Sequence, residues 1–381
     1  MSETRNILII AGEASGDHHG AELVHELNRQ LPGTCFWGIG GNDMEAASVD
    51  LVVHARDMAF LGFVEVIKHL PFIRKVFNQI LNLAVKKKPD VAVLIDYPGF
   101  NIRLAKALKK KKIPVVYYIS PQVWAWKEGR KHILAKVVDL MLVIFPFEEA
   151  IYQELGMDVH FVGNPLVDSV KPSQPKDIFL KQNQLSSELP TLCLLPGSRK
   201  QEVEKLLPPM IDSVAVLRQS IPNLQCVVAV ANTLSDAFIQ PFLKGIPCSV
   251  VHGQTHNALA ASDAAVVASG TATLETALLQ TPMVIVYKLA PISYAIGRHL
   301  VKVKNIGLAN IVAGQEVVPE LIQGDVNPKT IAETIMPMLV DSSHNQRIRQ
   351  LLEVIRSKLG EPGASKRAAE AIVDLIQSGR Q

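Results

Sequence analysis

The chain has 381 residues, of which 48% are hydrophobic, and a formal net charge of +3 at pH 7. This composition is enough for two globular domains with buried cores, and it excludes a low-complexity chain. The four cysteines lie far apart without metal-ligand spacing, which excludes a cysteine metal site and favours reduced, buried thiols.

The chain opens with a short apolar run, Asn6–Ala11, followed by the small-residue loop GEASGD. The run is too short for a signal peptide, and no uninterrupted apolar run reaches the roughly 18 residues of a membrane-spanning helix. We therefore expect a cytoplasmic protein. A strand, this loop and a helix over residues 21–31 predict the opening of a doubly wound α/β domain. The loop lacks the spacing G-x-G-x-x-G, which argues against a nicotinamide or flavin site.

Residues 58–85 form a long apolar stretch that Pro71 divides into two predicted helical pieces. Apolar side chains cover most of the first piece, and Lys68, Arg74 and Lys75 lie close by in the sequence. Two interpretations are open: a surface that contacts lipid or acyl chains, and a helix buried against both the sheet and a neighbouring helix. The lipid-contacting residues would be Phe60, Leu61, Phe63, Val64, Ile67 and Leu70.

The net charge is unevenly distributed along the chain. Residues 60–140 contain 16 lysines and arginines against 5 acidic residues, which is a net charge of +11. Such a basic segment indicates an anionic partner, namely a phosphorylated substrate, an anionic membrane face or nucleic acid. Solvated helix faces are the alternative, which we favour for residues 109–112 taken alone.

Residues 36–41 (FWGIGG) predict a second strand and loop, and further apolar runs in the first half predict strands at residues 89–95, 115–119, 139–145 and 161–163. A helical pattern follows each run, so the first half is predicted to form one parallel sheet with helices on both faces. The run at 89–95 ends in Asp96, within the motif IDYPGFN. A carboxylate at the carboxyl end of a buried strand can serve as a catalytic base, and it is also typical of an aspartate that caps the turn before Pro98.

The second half begins after a polar segment, residues 171–189, that predicts a linker. A second α/β series follows, with strands at residues 191–195, 225–230, 248–251, 264–268 and 283–287. From Asn327 the chain is predicted to be helical, with a break at residues 361–363 before a last helix. We therefore predict domains at 1–170 and 171–350, and C-terminal helices at 351–381 that pack on the first domain or on a partner chain.

The most informative loop of the second half follows the strand at residues 264–268. Ser269, Gly270 and Thr271 precede a helix that is predicted to begin near Ala272. A helix start exposes unpaired N–H groups and roughly half a positive charge, which suits phosphate. Glu275 lies about one turn further on, where a carboxylate can accept hydrogen bonds from ribose hydroxyls. The stretch therefore suits a nucleoside diphosphate, with an ordinary capped strand–helix turn as the alternative.

A second loop of similar character, LPGSR, follows the strand at residues 191–195. Its small residues expose backbone N–H groups, and Arg199 can clamp phosphate oxygens. Alone, it is equally explained as a capped loop with a surface arginine. Two such loops at the carboxyl ends of strands in one sheet favour phosphate binding. The sequence offers no Asp-x-Asp pair in a plausible site, so we expect no catalytic divalent metal.

Five motifs occur in a fixed order along the chain: IAGEASGD, IDYPGFN, SPQVWAW, LPGSR and SGTATLE. Together they closely resemble the lipid-A-disaccharide synthases of Gram-negative bacteria. The resemblance implies an inverting glycosyltransferase of the GT-B type, with two Rossmann-like domains facing a cleft. It implies transfer from UDP-2,3-diacylglucosamine to 2,3-diacylglucosamine 1-phosphate (lipid X), without a cofactor. The products would be the β-1,6-linked lipid A disaccharide 1-phosphate and UDP, made at the inner face of the inner membrane.

The residue patterns and the resemblance together define a predicted site. Asp96 is the predicted base that takes the acceptor hydroxyl proton. Lesser candidates for this role are Glu13, Asp17, His18 and His19. The predicted donor-binding residues are Ser198, Arg199, Ser269, Gly270, Thr271, Ala272, Thr273, Glu275 and Asn310. The predicted acceptor-binding residues are Gly12, Ser15 and Gln122. Trp124 and Trp126 could contact acyl chains, although packing is the commoner role of tryptophan.

Other functions stay open from the residues alone. A UDP-sugar 2-epimerase of the same fold would act on a soluble substrate and would not need the apolar residues 60–70. A non-catalytic nucleotide-sugar or lipid-binding module would keep the phosphate loops without needing Asp96. Nucleic acid is not an expected partner, because no recognised aromatic–basic module is present. The C-terminal helices could also form a homodimer interface.

Overall fold

The computed structural model describes residues 5–58, 69–289 and 304–379. The chain divides into two compact units, one of Met1–Pro165 with Glu361–Gln381 and one of Leu166–Gly360. Each unit is built on one parallel sheet whose strands alternate with helices along the chain. The predicted α/β class with two doubly wound sheets is therefore confirmed.

Seven parallel strands form the sheet of the first unit in the described part of the chain. They are β1 (Asn6–Ala11), β2 (Cys35–Gly40), β3 (Asp50–His54), β4 (Val91–Ile95), β5 (Val115–Tyr118), β6 (Leu140–Val143) and β7 (Val159–Phe161). Their order is β3-β2-β1-β4-β5-β6-β7. The order reverses between the neighbours β1 and β4, which makes this pair the switch point of the sheet.

Strand β1 shows why these runs form the centre of the sheet. Leu8 and Ile10 pack into a core on one face, and Ile7 and Ile9 pack into a second core on the other face. All four side chains are fully buried. Because successive side chains of a strand point to opposite faces, a strand covered on both sides must be apolar at every position. The uninterrupted apolar run follows from this double burial.

Helices of the first unit flank this sheet. They are α1 (Ala14–Gln30), α2 (Asn42–Ala46), α3 (Leu70–Lys87), α4 (Pro98–Lys110), α5 (Arg130–Val137) and α6 (Pro146–Gln153). Pro71 lies in the first turn of α3, where the missing N–H has no intrahelical partner to lose. Pro71 therefore begins a helix. Most of the helical piece predicted before it, residues 59–68, lies outside the described residues.

Helix α1 begins earlier than predicted, at Ala14 instead of residue 21. Residues 14–17 of the GEASGD loop are thus the first turn of a helix. A glycine allows α1 to lie close to α2, since a Cβ at Gly20 would overlap the Met44 side chain. The prediction of a loop here was wrong. Glycine favours turns, but it also permits a helix to pack closely on its neighbours.

Six parallel strands form the sheet of the second unit in the described part of the chain. They are β8 (Thr191–Leu195), β9 (Gln225–Val230), β10 (Ser249–His252), β11 (Ala264–Ala268), β12 (Met283–Tyr287) and β13 (Glu320–Ile322). Their order is β10-β9-β8-β11-β12-β13, with the switch point between β8 and β11. The second sheet therefore repeats the order of the first six strands of the first sheet.

The helices of the second unit include one inside the predicted linker. They are α7 (Leu166–Ser169), α8 (Lys176–Gln182), α9 (Lys200–Ser220), α10 (Asp236–Leu243), α11 (Thr255–Ala261), α12 (Ala272–Leu278), α13 (Leu308–Ala313), α14 (Pro328–Val340) and α15 (Ser342–Lys358). Helix α8 buries Phe179 and Leu180 and packs on α11. Residues 171–189 are therefore part of the second unit and do not form an open linker.

A last helix, α16 (Ala364–Ser378), belongs to the first unit. It packs on α1, and its Ala368 and Ile372 are fully buried in one of the two cores of that unit. Arg367 Nε donates a hydrogen bond to the Val162 carbonyl oxygen at 2.8 Å. The boundary predicted at residue 350 lies within α15. The first unit is thus assembled from two separate stretches of the sequence.

The loops that carry the predicted site residues follow the strands at the two switch points. In the first sheet they are the loop after β1 and the turn at Asp96 after β4. In the second sheet they are residues 196–199 after β8 and residues 269–271 after β11. At a switch point the connections leave towards opposite faces of the sheet, which opens a crevice where ligands bind. Each unit therefore has one such crevice.

Candidate active site

Asp96 lies directly after β4 in a backbone conformation that favours glycine. Its φ is 43° and that of Tyr97 is 44°, so two successive residues adopt the left-handed region. Side chains hold this turn in place. Asn101 Nδ2 donates to the carbonyl oxygens of Ile95 at 3.1 Å and Asp96 at 2.9 Å, and the Tyr117 hydroxyl donates to the latter at 2.6 Å. Strain that surrounding groups maintain in this way is typical of functional positions.

The carboxyl group of Asp96 has an unusual proton affinity. Burial, and to a smaller extent the negative charge of Glu13, raise its pKa from 3.8 to about 6, while a backbone hydrogen bond at Tyr97 opposes the shift. A group with this pKa is mostly ionised at pH 7 and holds a proton better than an ordinary aspartate. Asp96 is therefore chemically suited to accept a proton in a reaction near neutral pH.

Asp17, a lesser candidate for the base, has a structural role. Its buried carboxylate accepts hydrogen bonds from the backbone N–H groups of Gly41 at 2.6 Å, Asp43 at 3.0 Å and Met44 at 3.0 Å. These groups lie at the start of α2, so Asp17 caps that helix from a neighbouring one. This corrects the hypothesis that Asp17 takes part in proton transfer.

The remaining candidates near α1 are one exposed carboxylate and two histidines. Glu13 is exposed at the N-terminus of the helix. His18 lies 3.2 Å from Asp43 and 3.6 Å from Glu22 at the surface. Burial, and then the charge of His18, lower the pKa of His19 to about 4, so His19 is neutral at pH 7. Asp96 thus remains the best-suited base of the set.

The three predicted acceptor-binding residues lie near the carboxyl edge of the first sheet in different surroundings. Ser15 is exposed in the first turn of α1, and Gln122 is exposed after β5. Gly12 is buried, and a Cβ at this position would overlap the ring of Tyr97. Gly12 therefore makes room for Tyr97, whereas the polar side chains of Ser15 and Gln122 are exposed.

Most of the predicted donor-binding residues line one pocket of the second unit, with a volume of about 500 Å³. The pocket lies at the switch point, between the loops that follow β8 and β11. The predicted residues that line it are Ser198, Arg199, Ser269, Gly270, Thr271, Ala272 and Glu275. A Cβ at Gly270, whose φ is 153°, would meet nothing within 4 Å, so this stretch of backbone is open to a ligand. Two loops that the sequence presents separately thus form a common site.

Thr273 does not line this pocket, in contrast to the prediction. Its side chain is fully buried, and its hydroxyl donates to the Gly270 carbonyl at 2.8 Å and accepts from the Ala309 N–H at 3.4 Å. The hydroxyl of Ser269 donates to the Ile306 carbonyl at 2.9 Å. These two hydroxyls therefore hold the turn against neighbouring segments, which leaves Thr271 as its exposed hydroxyl.

Asn310 is also absent from the lining of the pocket. It is fully buried, and its Nδ2 donates to the Val318 carbonyl and to Glu320 Oε1, both at 2.8 Å. Its Oδ1 accepts from the N–H groups of Val317 at 2.8 Å and Val318 at 3.1 Å. Because both ends of the amide are engaged, Asn310 fixes the segment before β13. This corrects the prediction of a direct donor contact.

Glu202 was missed by the sequence analysis and occupies the predicted phosphate loop. Its Oε2 accepts from the N–H groups of Ser198 at 3.2 Å and Arg199 at 3.3 Å, and its Oε1 accepts from Arg199 Nη1 at 3.0 Å. No sequence signal marked it, since a capping box is recognised by Ser, Thr, Asp or Asn at the N-cap, and the N-cap residue three positions before Glu202 is Arg199. A phosphate bound at these N–H groups must displace this carboxylate, and exposed pairs of this kind are weak.

His256 is a second residue that the sequence analysis missed. Its Nε2 lies 3.8 Å from Glu275 Oε2. Both side chains also line a neighbouring cavity of about 330 Å³, together with residues of the loop before α11. Glu275 therefore borders both cavities, which makes the second one an extension of the predicted donor pocket.

The two tryptophans of the SPQVWAW motif have different environments. Trp124 Nε1 donates to the buried Glu148 at 3.1 Å, and the Trp124 ring packs edge-on against Phe147. Trp126 is 45% exposed, and Lys127 Nζ lies 4.3 Å from its ring centroid. Trp124 therefore packs within the unit, and Trp126 is available at the surface.

Part of the predicted lipid contact can be located. The residues Phe60, Leu61, Phe63, Val64 and Ile67 lie outside the described residues. Leu70, at the start of α3, is 45% exposed. Across residues 5–58, 69–289 and 304–379, no helix combines the length and apolar character that crossing a bilayer requires. The same ranges contain no group of three or more His, Cys, Asp or Glu residues placed to hold a metal ion.

The sequence profile of the lipid-A-disaccharide synthetase family matches residues 7–374. The chain belongs to the lipid-A-disaccharide synthase family. It is 48% identical over 374 residues to the lipid-A-disaccharide synthase of Syntrophus aciditrophicus (strain SB), covering 97% of this chain and 98% of that relative. It is 42% identical over 382 residues to that of Myxococcus xanthus (strain DK1622), covering 100% of both chains. The resemblance inferred from the five motifs is confirmed.

Solved structures agree on the fold of this synthase family member. The UDP-GlcNAc 2-epimerase of Neisseria meningitidis, bound to UDP-GlcNAc, is 12% identical with a TM-score of 0.68, covering 97% of this chain and 100% of that chain. A calicheamicin glycosyltransferase is 19% identical with a TM-score of 0.60, covering 98% and 99%. Identities this low show the fold alone. The GT-B type of fold is thereby confirmed, and the epimerases are fold relatives.

Proposed function

We propose that this family member transfers a diacylglucosamine unit from UDP-2,3-diacylglucosamine to 2,3-diacylglucosamine 1-phosphate (lipid X). The products are the β-1,6-linked lipid A disaccharide 1-phosphate and UDP. Family membership supports the reaction. The observation that carries the chemistry is Asp96, a partly buried carboxylate with a pKa of about 6 in a strained turn at a switch point.

The donor diphosphate binds in the 500 Å³ pocket of the second unit in this proposal. Arg199 supplies positive charge for the departing diphosphate, and the open backbone at Gly270 accepts a bulky anion. Glu275 receives the ribose hydroxyls, with His256 close enough to orient its carboxylate. These groups replace the charge that a divalent metal supplies in other transferases, and no cofactor is required.

The base abstracts the proton of the acceptor hydroxyl as its oxygen attacks the anomeric carbon. The new glycosidic bond forms while the bond to the diphosphate breaks, and UDP leaves with the electron pair. Attack opposite the leaving group inverts the anomeric carbon, which accounts for the β linkage. The proton passes to the Asp96 carboxylate, whose raised pKa stabilises the protonated product. Ser15 and Gln122 are proposed to hold the acceptor.

The pH dependence should report this base. We expect kcat/KM to fall tenfold per pH unit below about pH 6, because only ionised Asp96 accepts the proton. Glu13→Gln removes one cause of the raised pKa and should move this acid limb to lower pH, while activity on the plateau is kept. Glu26→Gln, further along α1, is the control. An acid limb at the same pH in Glu13→Gln and the wild-type chain would show that the limb does not report the ionisation of Asp96.

The acylated substrates also suggest a peripheral location on the inner face of the inner membrane. The apolar residues 60–70 and the basic character of residues 60–140 suit an anionic lipid surface.

A homodimer through the C-terminal helices is also proposed. In the structure, α16 packs on α1 of its own chain.

Replacing Phe60, Leu61, Phe63 and Val64 together with serine should weaken vesicle binding at least about tenfold, because burial of apolar side chains drives it. The measurement is co-sedimentation with vesicles of phosphatidylethanolamine and phosphatidylglycerol. Val340→Ser with Val354→Ser is the control, since both are exposed apolar residues of the second unit. Unchanged co-sedimentation of the four-serine variant would favour the alternative interpretation, a helix buried in the core.

The decisive assay is release of UDP from UDP-2,3-diacylglucosamine in detergent, with and without the phosphorylated diacyl acceptor. Acceptor-dependent release with a disaccharide product is expected. Conversion of UDP-GlcNAc to its C2 epimer without an acceptor would favour the epimerase instead. Binding of UDP without any turnover would favour the non-catalytic module.

A further inference from the structure

A cavity of the first unit lies beside the turn that carries Asp96. It has a volume of about 670 Å³, within the range of pockets that bind small molecules. Residues from the N-terminal turns of α3 and α4 form its walls. They are Leu70, Ile73, Arg74, Phe77, Tyr97, Gly99, Phe100 and Arg103. The cavity is distinct from the two cavities of the second unit.

The walls of this cavity are largely aliphatic and aromatic. The Phe100 ring centroid lies 5.8 Å from that of Phe77 and 6.1 Å from that of Tyr97. The Tyr97 hydroxyl already donates to the Met58 carbonyl at 3.1 Å. The cavity therefore offers an apolar surface with few free hydrogen-bonding groups, which suits a hydrocarbon part of a ligand.

Two arginines give the cavity a charge preference. Arg74 and Arg103 both belong to its lining and are exposed. Neither has an ion-pair partner within the described ranges, and the described lining contains no acidic residue. Exposed guanidinium groups beside an apolar cavity favour an amphiphile with an anionic head, because the hydrocarbon enters while phosphate or carboxylate pairs with arginine.

We propose that this cavity holds one acyl chain of the phosphorylated acceptor, with Arg74 and Arg103 near its anionic head. The identity of the acceptor rests on the proposed function. Position supports the assignment, because Tyr97 is both a wall of the cavity and the residue after Asp96. A seated chain anchors the sugar whose hydroxyl Asp96 deprotonates. Each methylene that it buries should improve acceptor affinity about fourfold.

Gly99 allows the cavity to be filled without disturbing the fold. It lies in the first turn of α4, and a Cβ there would meet nothing within 4 Å. Leucine is also a better helix former than glycine. Gly129 offers the matched control, since it precedes α5 in the same unit and a Cβ there is equally unhindered. Gly99→Leu and Gly129→Leu therefore add the same side chain inside and outside the cavity.

The first experiment measures binding of dansyl-aminoundecanoic acid, a fluorescent acyl carboxylate, without detergent. The probe should bind the wild-type chain and Gly129→Leu alike, and at least about tenfold more weakly to Gly99→Leu. Equal binding to all three proteins, or no binding to the wild-type chain, would overturn the acyl site. This result does not depend on whether the chain catalyses transfer.

The second experiment measures the acceptor KM for acyl chains of decreasing length. In the wild-type chain and Gly129→Leu, KM should rise about fourfold per methylene removed, and in Gly99→Leu it should become nearly independent of length at an unchanged donor KM. The same length dependence in all three proteins would show that the acceptor acyl chain does not bind in the cavity. Absence of transfer in every protein would overturn the proposed function and leave the probe titration to decide whether the cavity binds acyl chains.

Discussion

Asp96→Asn is expected to lower kcat by about 10²- to 10⁴-fold, which is the range for loss of a general base. Asparagine keeps the size of the side chain but has no appreciable affinity for the hydroxyl proton. Binding of UDP should change little, because the donor pocket is built from residues of the second unit. The measurements are steady-state transfer and a UDP titration by calorimetry.

The same substitution should make the protein more stable at pH 7. Folding raises the pKa of Asp96 from 3.8 to about 6, so ionised Asp96 destabilises the folded state as pH rises through this window. The full shift corresponds to about 3 kcal/mol, and for a partly exposed group we expect about 1–2 kcal/mol. Asparagine and aspartate both tolerate the φ of 43°, so the turn itself should contribute little to the difference. The gain should disappear below about pH 4, where wild-type Asp96 is protonated.

Denaturant unfolding at pH 4 and pH 7, beside the transfer assay, separates the two effects. Asp43→Asn is the control, because Asp43 is an exposed aspartate after β2 at the same edge of the sheet. It should keep wild-type turnover and show no pH-dependent gain. Wild-type turnover in Asp96→Asn would show that Asp96 is not the base. The alternative interpretation, an aspartate that caps the turn before Pro98, would then hold.

Arg199→Ala is expected to lower kcat by about 10²- to 10³-fold, as for loss of one charged group that stabilises a transition state. The guanidinium is 66% exposed and paired with Glu202 at the surface, so its removal should change the free energy of unfolding by less than about 1 kcal/mol. A large loss of activity with little loss of stability would therefore locate the effect at the leaving diphosphate.

Arg29→Ala is the matched control for this variant. Arg29 and Glu26 form a surface pair at the same separation in sequence, 2.9 Å apart, in the first unit. The control should retain wild-type turnover and donor KM. If Arg199→Ala also retains them, the loop after β8 is a capped loop with a surface arginine, as its alternative interpretation held.

The strands that could be predicted are those at the centre of each sheet. β1, β4, β8 and β11 are buried on both faces and are therefore continuous apolar runs. β3 and β13 were missed, and their position at the edges of their sheets does not explain this alone, since the edge strand β10 was predicted. Their sequences, DLVVH and ELI, are short and partly exposed, so neither an apolar run nor a strict alternation marks them.

The candidate site was predictable where position along a strand decided it. Asp96 and Arg199 follow buried strands, and parallel strands present such residues at one edge. Thr273 and Asn310 were misassigned because a hydroxyl or an amide serves a backbone group as readily as a ligand. Asn101 was missed for the same reason, since its importance comes from the two carbonyl groups that it holds.

The return of α16 to the first unit has a consequence for synthesis. Residues 361–379 leave the ribosome only after the whole second unit, yet Ala368 and Ile372 complete a core of the first. At roughly 5–20 residues per second, translation of the intervening 166–360 segment takes on the order of 10–40 seconds. During this time an apolar face of the nascent first unit has no covering helix. The earliest part of the chain to be made is therefore among the last to finish folding.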